Sequence, residues 1–295
     1  MEKSSKFLIF KGRTNVLIVT NDNKEAIIVD TGIDEDSGRK IAKFLNQNSL
    51  TPVAIINSHS HADHIGGNSY LEKKFKIQSY STKNECAFIE NPLLEPLYLY
   101  EAFPPESLTI KTLAAEPSSC NSIEEFNINE FGIEIIRLPG HSIDMIGLKI
   151  GGELLFTADA FFGIDTLIKH KIPYHVNVKN SYLTLLMLKE EVKKFNAVLP
   201  SHGDLIQSQS EAEDAILKNI NAILEVRDLI VNSFESKKEV ESVISQVLNH
   251  YGFSNVPLAQ YFLLKSAIMS YFAWLLDEKI LSLETEDGRL VAKKI

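Results

Sequence analysis

Sulfur is scarce in this chain: only Cys86 and Cys120 occur in 295 residues, and they form no CxxC pair. That spacing argues against a thiolate metal centre, and in a reducing compartment both residues are expected to be free thiols. Long apolar runs are missing as well. No stretch approaches the length that spans a bilayer, and the opening MEKSSKFLIFKG offers only four consecutive apolar residues before Lys11, too few for a signal-peptide core. The expected location is therefore cytoplasmic, with no membrane partner. Nor is there an excess of basic residues: 30 Lys and Arg face 39 Asp and Glu, for a net charge of −9. With both signs interspersed, a broad electrostatic footprint for nucleic acid is not expected, and a polyanion would need a local patch. Internal repeats and low-complexity segments are absent too.

What is present is enough chain for a large core, as one big domain or a domain with an appendage, so stability does not call for a metal staple. The first two hundred residues alternate β-branched runs with turn residues. NVLIVTN, AIIVDTG and PVAIINS read as strands. Between the second and third, Ile41, Ala42, Phe44 and Leu45 suit a covering helix. FGIEIIRLPG and IGLKIGGELLFTADA are further strands, SYLTLLMLKEEVKKF is an amphipathic helix, and AVLPSHG is a strand that ends in a loop. The fold class is α/β, with strands inside and helices outside.

Residues 85–122 differ: they hold five prolines and several large apolar groups without a clear period. This is either an insert lying over another part of the protein or a surface-packed loop, and it is too apolar for disorder. After Gly203 the β pattern stops. Ile216, Ile220, Ile223, Leu224, Ile230 and Val231 recur at helical spacing, followed by Val240, Val243, Ile244, Val247, Leu248 and Tyr251. The chain closes with two alternating arms around Asp287-Gly288, a strong hairpin pattern. The expected organisation is a catalytic domain over 1–205, with 85–122 as its insert, and a mainly helical region over 206–295.

The ends of the strands carry the chemistry. SHSHADHIGG (58–67) places His59 and His61 two residues apart, on one side of an extended loop, so that both can bind one ion; Asp63 and His64 are offset and can face a second. His141 follows LPG, Asp159 ends LFTA and His202 ends LPS. These five histidines and two aspartates suffice for two cations, and imidazole with carboxylate favours zinc, with iron or manganese as alternatives. Paired cations acidify a bridging water and polarise a substrate oxygen, which implies hydrolysis of an ester-like or phosphoester-like bond. A single strand-terminal histidine is usually an ordinary loop residue, but five of the chain's eight fall in such motifs. His170, His175 and His250 do not, and His250 reads as an incidental helix residue.

SHSHADH resembles the HxHxDH motif of the metallo-β-lactamase superfamily, and VDTG, LPGHS, FTADA and LPSHG resemble its other motifs in their usual order, over about residues 7–203. The resemblance implies a four-layered αββα sandwich with metals at one edge between two sheets. It further implies that His59, His61 and His141 hold one metal, that Asp63, His64 and His202 hold a second, and that Asp159 bridges them. Asp30 would orient a ligand histidine or its loop, and Asp63 would also steer the attacking hydroxide. Antibiotic-hydrolysing members typically have Cys where Asp159 stands, which argues against β-lactam hydrolysis as the main activity, and flavodiiron relatives have Glu in place of His61. Glyoxalase II-like thioesterases, lactonases and nucleases remain. The last ninety residues resemble, more weakly, the winged-helix appendage of one group.

The leading expectation is a dinuclear metal-dependent hydrolase of a small ester, thioester or lactone, its pocket walled by the insert through residues such as Tyr98 and Phe103. HKIPYH (170–175) brings Tyr174 or His175 to the substrate, or else is a solvated turn. A mononuclear-iron persulfide dioxygenase and a metal-dependent nuclease or nucleic-acid-binding protein are the alternatives. The partner is expected to be a small molecule; homo-oligomerisation is left open.

Overall fold

The computed structural model describes residues 6–295; the first five, on which part of the reading of the N-terminus rests, lie outside the described residues. Six strands form the first sheet in sequence order: β1 (Lys6–Phe10), β2 (Val16–Thr20), β3 (Glu25–Val29), β4 (Thr51–Ile56), β5 (Gln78–Ser81) and β6 (Asn121–Ser122). Helix α1 (Glu35–Gln47) makes the crossover to β4. Asp34 caps it by accepting from the Ser37 amide, and Glu35 and Asp36 suit the positive end of the helix dipole. Short α2 (Ala62–Ile65) and α3 (Asn68–Phe75) lead to β5, and α4 (Lys83–Glu90) and α5 (Leu94–Tyr100) to β6.

Both faces of this sheet are covered, so its strands read as continuous apolar runs. Period two assigns the sides: Val16 and Ile18 of β2 pack outward on Ile41, Ala42 and Leu45 of α1, whereas Leu17 and Val19 point inward to a second sheet. That sheet has the order β10-β9-β8-β7, from β7 (Ile133–Arg137), β8 (Ile146–Ile150), β9 (Leu154–Ala158) and β10 (Ala197–Pro200). After β9 come α6 (Ile164–His170) and α7 (Val178–Glu191), the latter connecting to β10, which pairs parallel to β9. The result is the αββα sandwich that the motifs implied.

The remainder comprises α8 (Gln209–Asn232), β11 (Lys238–Glu239), α9 (Val240–His250), α10 (Leu258–Asp277), β12 (Leu281–Glu286) and β13 (Arg289–Lys294). The last two strands form the expected hairpin, with Asp287 and Gly288 both at positive φ (49° and 74°) in the tight turn. β11 adds a third antiparallel strand. α8 lies along α7, and α10 contacts α7 and α5, so one apolar cluster runs from the second sheet through Ile216, Ile244, Ile268 and Phe272. Among the described residues, no helix is long and apolar enough to cross a membrane.

One expectation needs correction. The cysteines are not free thiols: Cys86 and Cys120 form a disulfide, because α4 packs on β6 and brings their Cα atoms to 5.2 Å. Residues 34 apart carry no local pattern that reveals such a pair. The insert, aperiodic as sequence, holds most of α4 and all of α5. Pro96 falls in the first turn of α5, where a missing amide is tolerated. Its Leu99, Leu108 and Leu113 cluster with Tyr98, Tyr174 and, from α10, Phe262 and Leu263, so it lies over the C-terminal region.

Candidate metal centre and active site

Every potential ligand follows a strand on one edge of the sandwich. β4 leads into His59 and His61, the β7–β8 loop carries His141, β9 leads into Asp159 and β10 into His202, while α2 holds Asp63 and His64. Three contacts bring these loops together across the two sheets. The Ile146 amide donates to the Ser58 carbonyl at 3.0 Å, and the Asn15 side chain donates to the carbonyls of Pro200 and Gly203 at 2.8 Å each.

Asp30, itself at φ 61°, organises the HxHxDH loop. Its carboxylate accepts from the Ser58 amide and hydroxyl and from His64 Nδ1, all at 2.8 Å. Gly66 then passes so close to the loop after Asp30 that an added Cβ would fall 2.1 Å from the Ile33 carbonyl carbon. The glycine after the histidines is thus required by that approach. Gly140, at φ 134°, similarly lies where a Cβ would fall 2.3 Å from the Ser181 amide nitrogen, letting His141 sit against the start of α7.

The proton positions follow from the hydrogen bonds. Ser58 Oγ donates to Asp30, so His59 Nδ1, 3.0 Å away, must donate to Ser58 Oγ, leaving Nε2 bare. His141 Nδ1 donates to the Tyr174 carbonyl at 2.9 Å, which also leaves Nε2 bare. Both bare nitrogens face His61 Nδ1, at 3.0 and 2.9 Å. One N–H cannot satisfy two lone pairs well, and a cation among the three can. Burial first, then neighbouring histidines, keep His59 neutral; burial holds His61 to about 4 and His141 to about 3. Three neutral imidazoles are a ready donor set.

Around the second group the charges differ. His202 is pushed up to about 10, chiefly by Asp159, and lies 3.2 Å from Asp63 and 3.4 Å from Asp159. Burial pushes His64 down, but Asp63, Asp30 and Asp159 together hold it well above its ordinary value. Burial likewise opposes ionisation of Asp63 and Asp159, and the two histidines override it, so both carboxylates stay charged. His64 Nε2 and Asp159 Oδ1 are buried without a hydrogen-bond partner among the described residues. A bound cation would replace those two imidazolium charges and complete the orphaned atoms, so the residues fit metal ions in both groups: His59, His61 and His141 in one, Asp63, His64 and His202 in the other. Asp159 Oδ2 stands between them, 3.4 Å from His141, 3.4 Å from His202 and 3.6 Å from His64.

A cavity of about 610 Å³ opens onto His61, Asp63, His141, Asp159 and His202. Tyr174 and His170 line it. Tyr98 does not, but its hydroxyl is hydrogen-bonded to that of Tyr174. Phe103 lies outside the cavity, three-quarters exposed, and His175 is buried beside His141 and Phe162 rather than facing the cavity. His250 ends α9. Sequence reasoning missed Glu85, whose buried carboxylate accepts from Ser60 N and Oγ at 2.9 and 2.6 Å and from Ser142 Oγ and Asp144 N at 2.6 and 2.8 Å. It thereby fixes the His61 loop to the His141 loop. It missed the Glu95 carboxyl and, from α10, Leu263 and Leu264 in the cavity wall. NECAFIE gives no hint that its first acid is buried.

A family model described as the metallo-beta-lactamase superfamily matches residues 9–204. The chain belongs to this superfamily. A hydroxyacylglutathione hydrolase of Nitrosomonas europaea is 33% identical over 224 residues, covering 70% of this chain and 73% of that protein. A probable metallo-hydrolase, YqgX, of Bacillus subtilis is 27% identical over 154 residues, covering 51% and 67%. The chain spans about half the length of some other curated relatives that it matches. Among solved structures, a metallo-beta-lactamase family protein from Thermus thermophilus superposes with a TM-score of 0.71 at 12% identity, covering 99% of this chain and 98% of that one. That similarity concerns the fold and extends through the C-terminal helices. As a member of the metallo-beta-lactamase superfamily with these relatives, the chain is a metal-dependent hydrolase.

Asp30→Asn is expected to weaken metal affinity by about 10–100-fold while leaving the fold intact, since Asp30 holds both Ser58 and His64 without reaching a metal position. Competition with a chromogenic chelator measures this; wild-type affinity in the variant would remove Asp30 from the orienting role.

Proposed function

We propose that the chain hydrolyses small thioesters with two divalent cations, zinc first among them, held by His59, His61 and His141 and by Asp63, His64 and His202, with Asp159 shared. The observation that carries this reading is the second ligand group: a one-metal dioxygenase needs two histidines and one aspartate, whereas here Asp63, His64 and His202 also converge within 4.8 Å of one another. The choice of thioester rests on the relatives named hydroxyacylglutathione hydrolase.

The cations, when bound, would acidify a water and polarise the scissile carbonyl. Asp63, within 3.2 Å of both Thr14 Oγ1 and His202 Nε2, is placed to orient that water. Phe162, Tyr174 and Leu264 position the substrate and exclude bulk solvent from the cavity. In this reading residues 1–205 carry the chemistry, and 206–295 form a wall of the substrate site through α10.

Elemental analysis followed by a panel of thioesters, lactones and phosphodiesters tests the proposal. Two metals per chain and highest kcat/KM on thioesters are expected; one iron per chain with oxygen uptake, or preference for phosphodiesters, would refute it. His61→Ala and His202→Ala should each lose metal and nearly all hydrolysis yet keep a cooperative unfolding transition, because the sandwich core does not depend on the site. Full activity in either variant would count against the assigned ligand set.

A further inference from the structure

Glu95 stands in the first turn of α5, inside the insert, and is only 8% exposed. Its carboxyl lines the cavity that opens onto His61, Asp63 and His141, alongside the apolar side chains of Leu113, Leu263 and Leu264. Among the described residues no backbone or side-chain group donates to it and no cation pairs with it. The nearby hydroxyls of Tyr98 and Tyr174 bond to each other instead. The arginine and lysine of the cavity, Arg13 and Lys169, are exposed and form no pair with it, and His202 pairs with Asp63 and Asp159 instead.

Burying a carboxyl without a partner costs free energy that an apolar residue of similar size would avoid, so packing gives no reason for an acid here. Burial drives its pKa well above the ordinary range, and the charges of Asp63 and Glu85 add to that, so the carboxyl is held neutral until a cation pairs with it. A cationic ligand group that reaches Glu95 would supply the missing partner and favour its charged form.

We infer that Glu95 is a specificity-determining residue that pairs with a protonated amine on the substrate, so that this site prefers thioesters bearing an ammonium group. The inference rests on the thioesterase reading, and the experiment separates the two. S-[2-(dimethylamino)ethyl] thioacetate and S-(3-methylbutyl) thioacetate share an acyl group and nearly a shape, and differ in an ammonium N–H against a C–H. The ratio of their kcat/KM values, measured on the metal-loaded enzyme, should be about 10–100-fold higher in the wild type than in Glu95→Gln, mainly through KM, as for a charge-assisted hydrogen bond. Comparing the ratios between the two proteins cancels the intrinsic reactivity of the esters. Glutamine keeps the size and a hydrogen-bonding head and loses only the charge, so an unchanged ratio overturns the inference. In parallel, calorimetric titration of N,N-dimethylbutylammonium chloride into the wild type and Glu95→Gln needs no turnover. Tenfold or greater weakening in the variant supports the pairing, and equal affinity refutes it. Should neither thioacetate be cleaved, the thioesterase reading fails while the titration still decides the role of Glu95. Should the variant not fold, the wild type alone decides, because equal affinity for the ammonium salt and for neutral 2-methylhexan-1-ol overturns the pairing.

Discussion

Replacing Asp159 by asparagine is expected to strip cations from both ligand groups at once and to lower kcat/KM by more than about a hundredfold, beyond the range typical of a residue that merely orients a ligand. The geometry leaves little room for a milder outcome. One carboxylate oxygen lies within 3.6 Å of His141 in one group and of His64 and His202 in the other. Ala158, immediately before it, adopts φ 48°, a conformation uncommon for a residue with a Cβ, and this turns Asp159 out of β9 toward both groups. An amide bridges two cations poorly and leaves their mutual repulsion less screened. Metal stoichiometry is the measurement. Clean loss of one ion while the other keeps wild-type affinity would show that Asp159 serves a single group.

Truncation after Glu235 is expected to cause aggregation and loss of activity. It removes α9, α10 and the hairpin, and with them Ile268, Tyr271, Phe272 and Leu275, all fully buried. At about 1.5–3 kcal/mol per large apolar side chain, those four alone represent about 6–12 kcal/mol of burial, comparable to the 5–15 kcal/mol net stability of a typical protein. It would uncover the faces of α7 and α8 and delete Leu263 and Leu264 from the cavity wall. It would also free the Val178 amide, which donates to Ser270 Oγ at 2.8 Å at the start of α7. Size-exclusion chromatography and dye binding report the exposed surface. A monodisperse, active truncation product would show that the tail is dispensable, and salt-dependent binding of RNA or DNA by the intact chain would point to a different role for it.

The strongest strands were legible because burial on both faces requires runs such as VLIVT and AIIV, which few other structures explain. The polar β5, QSYS, was not, because its place in the sheet comes from pairing with β4 rather than from its own composition. β1 was read only as a short apolar run, since an edge strand with one partner need not alternate strictly. Helix α5 of the insert escaped detection because it is short and packs on α10, a distant partner that imposes no local period.

The chain's own order of residues determined the inventory of the site: five histidines and two aspartates, in segments that follow four apolar runs, with glycines where the backbone has to pass closely. Such side chains are rare in that setting, and their chemistry is local to each residue. Only the tertiary structure decided which of them meet, that Glu85 joins two ligand loops, that Glu95 faces the cavity unpaired, that Phe103 stays in solvent and that Cys86 meets Cys120. A carboxylate or thiol takes its role from the groups around it in space, and those groups come from segments as far apart as Asn15 and Gly203 that only the packing of the two sheets brings together.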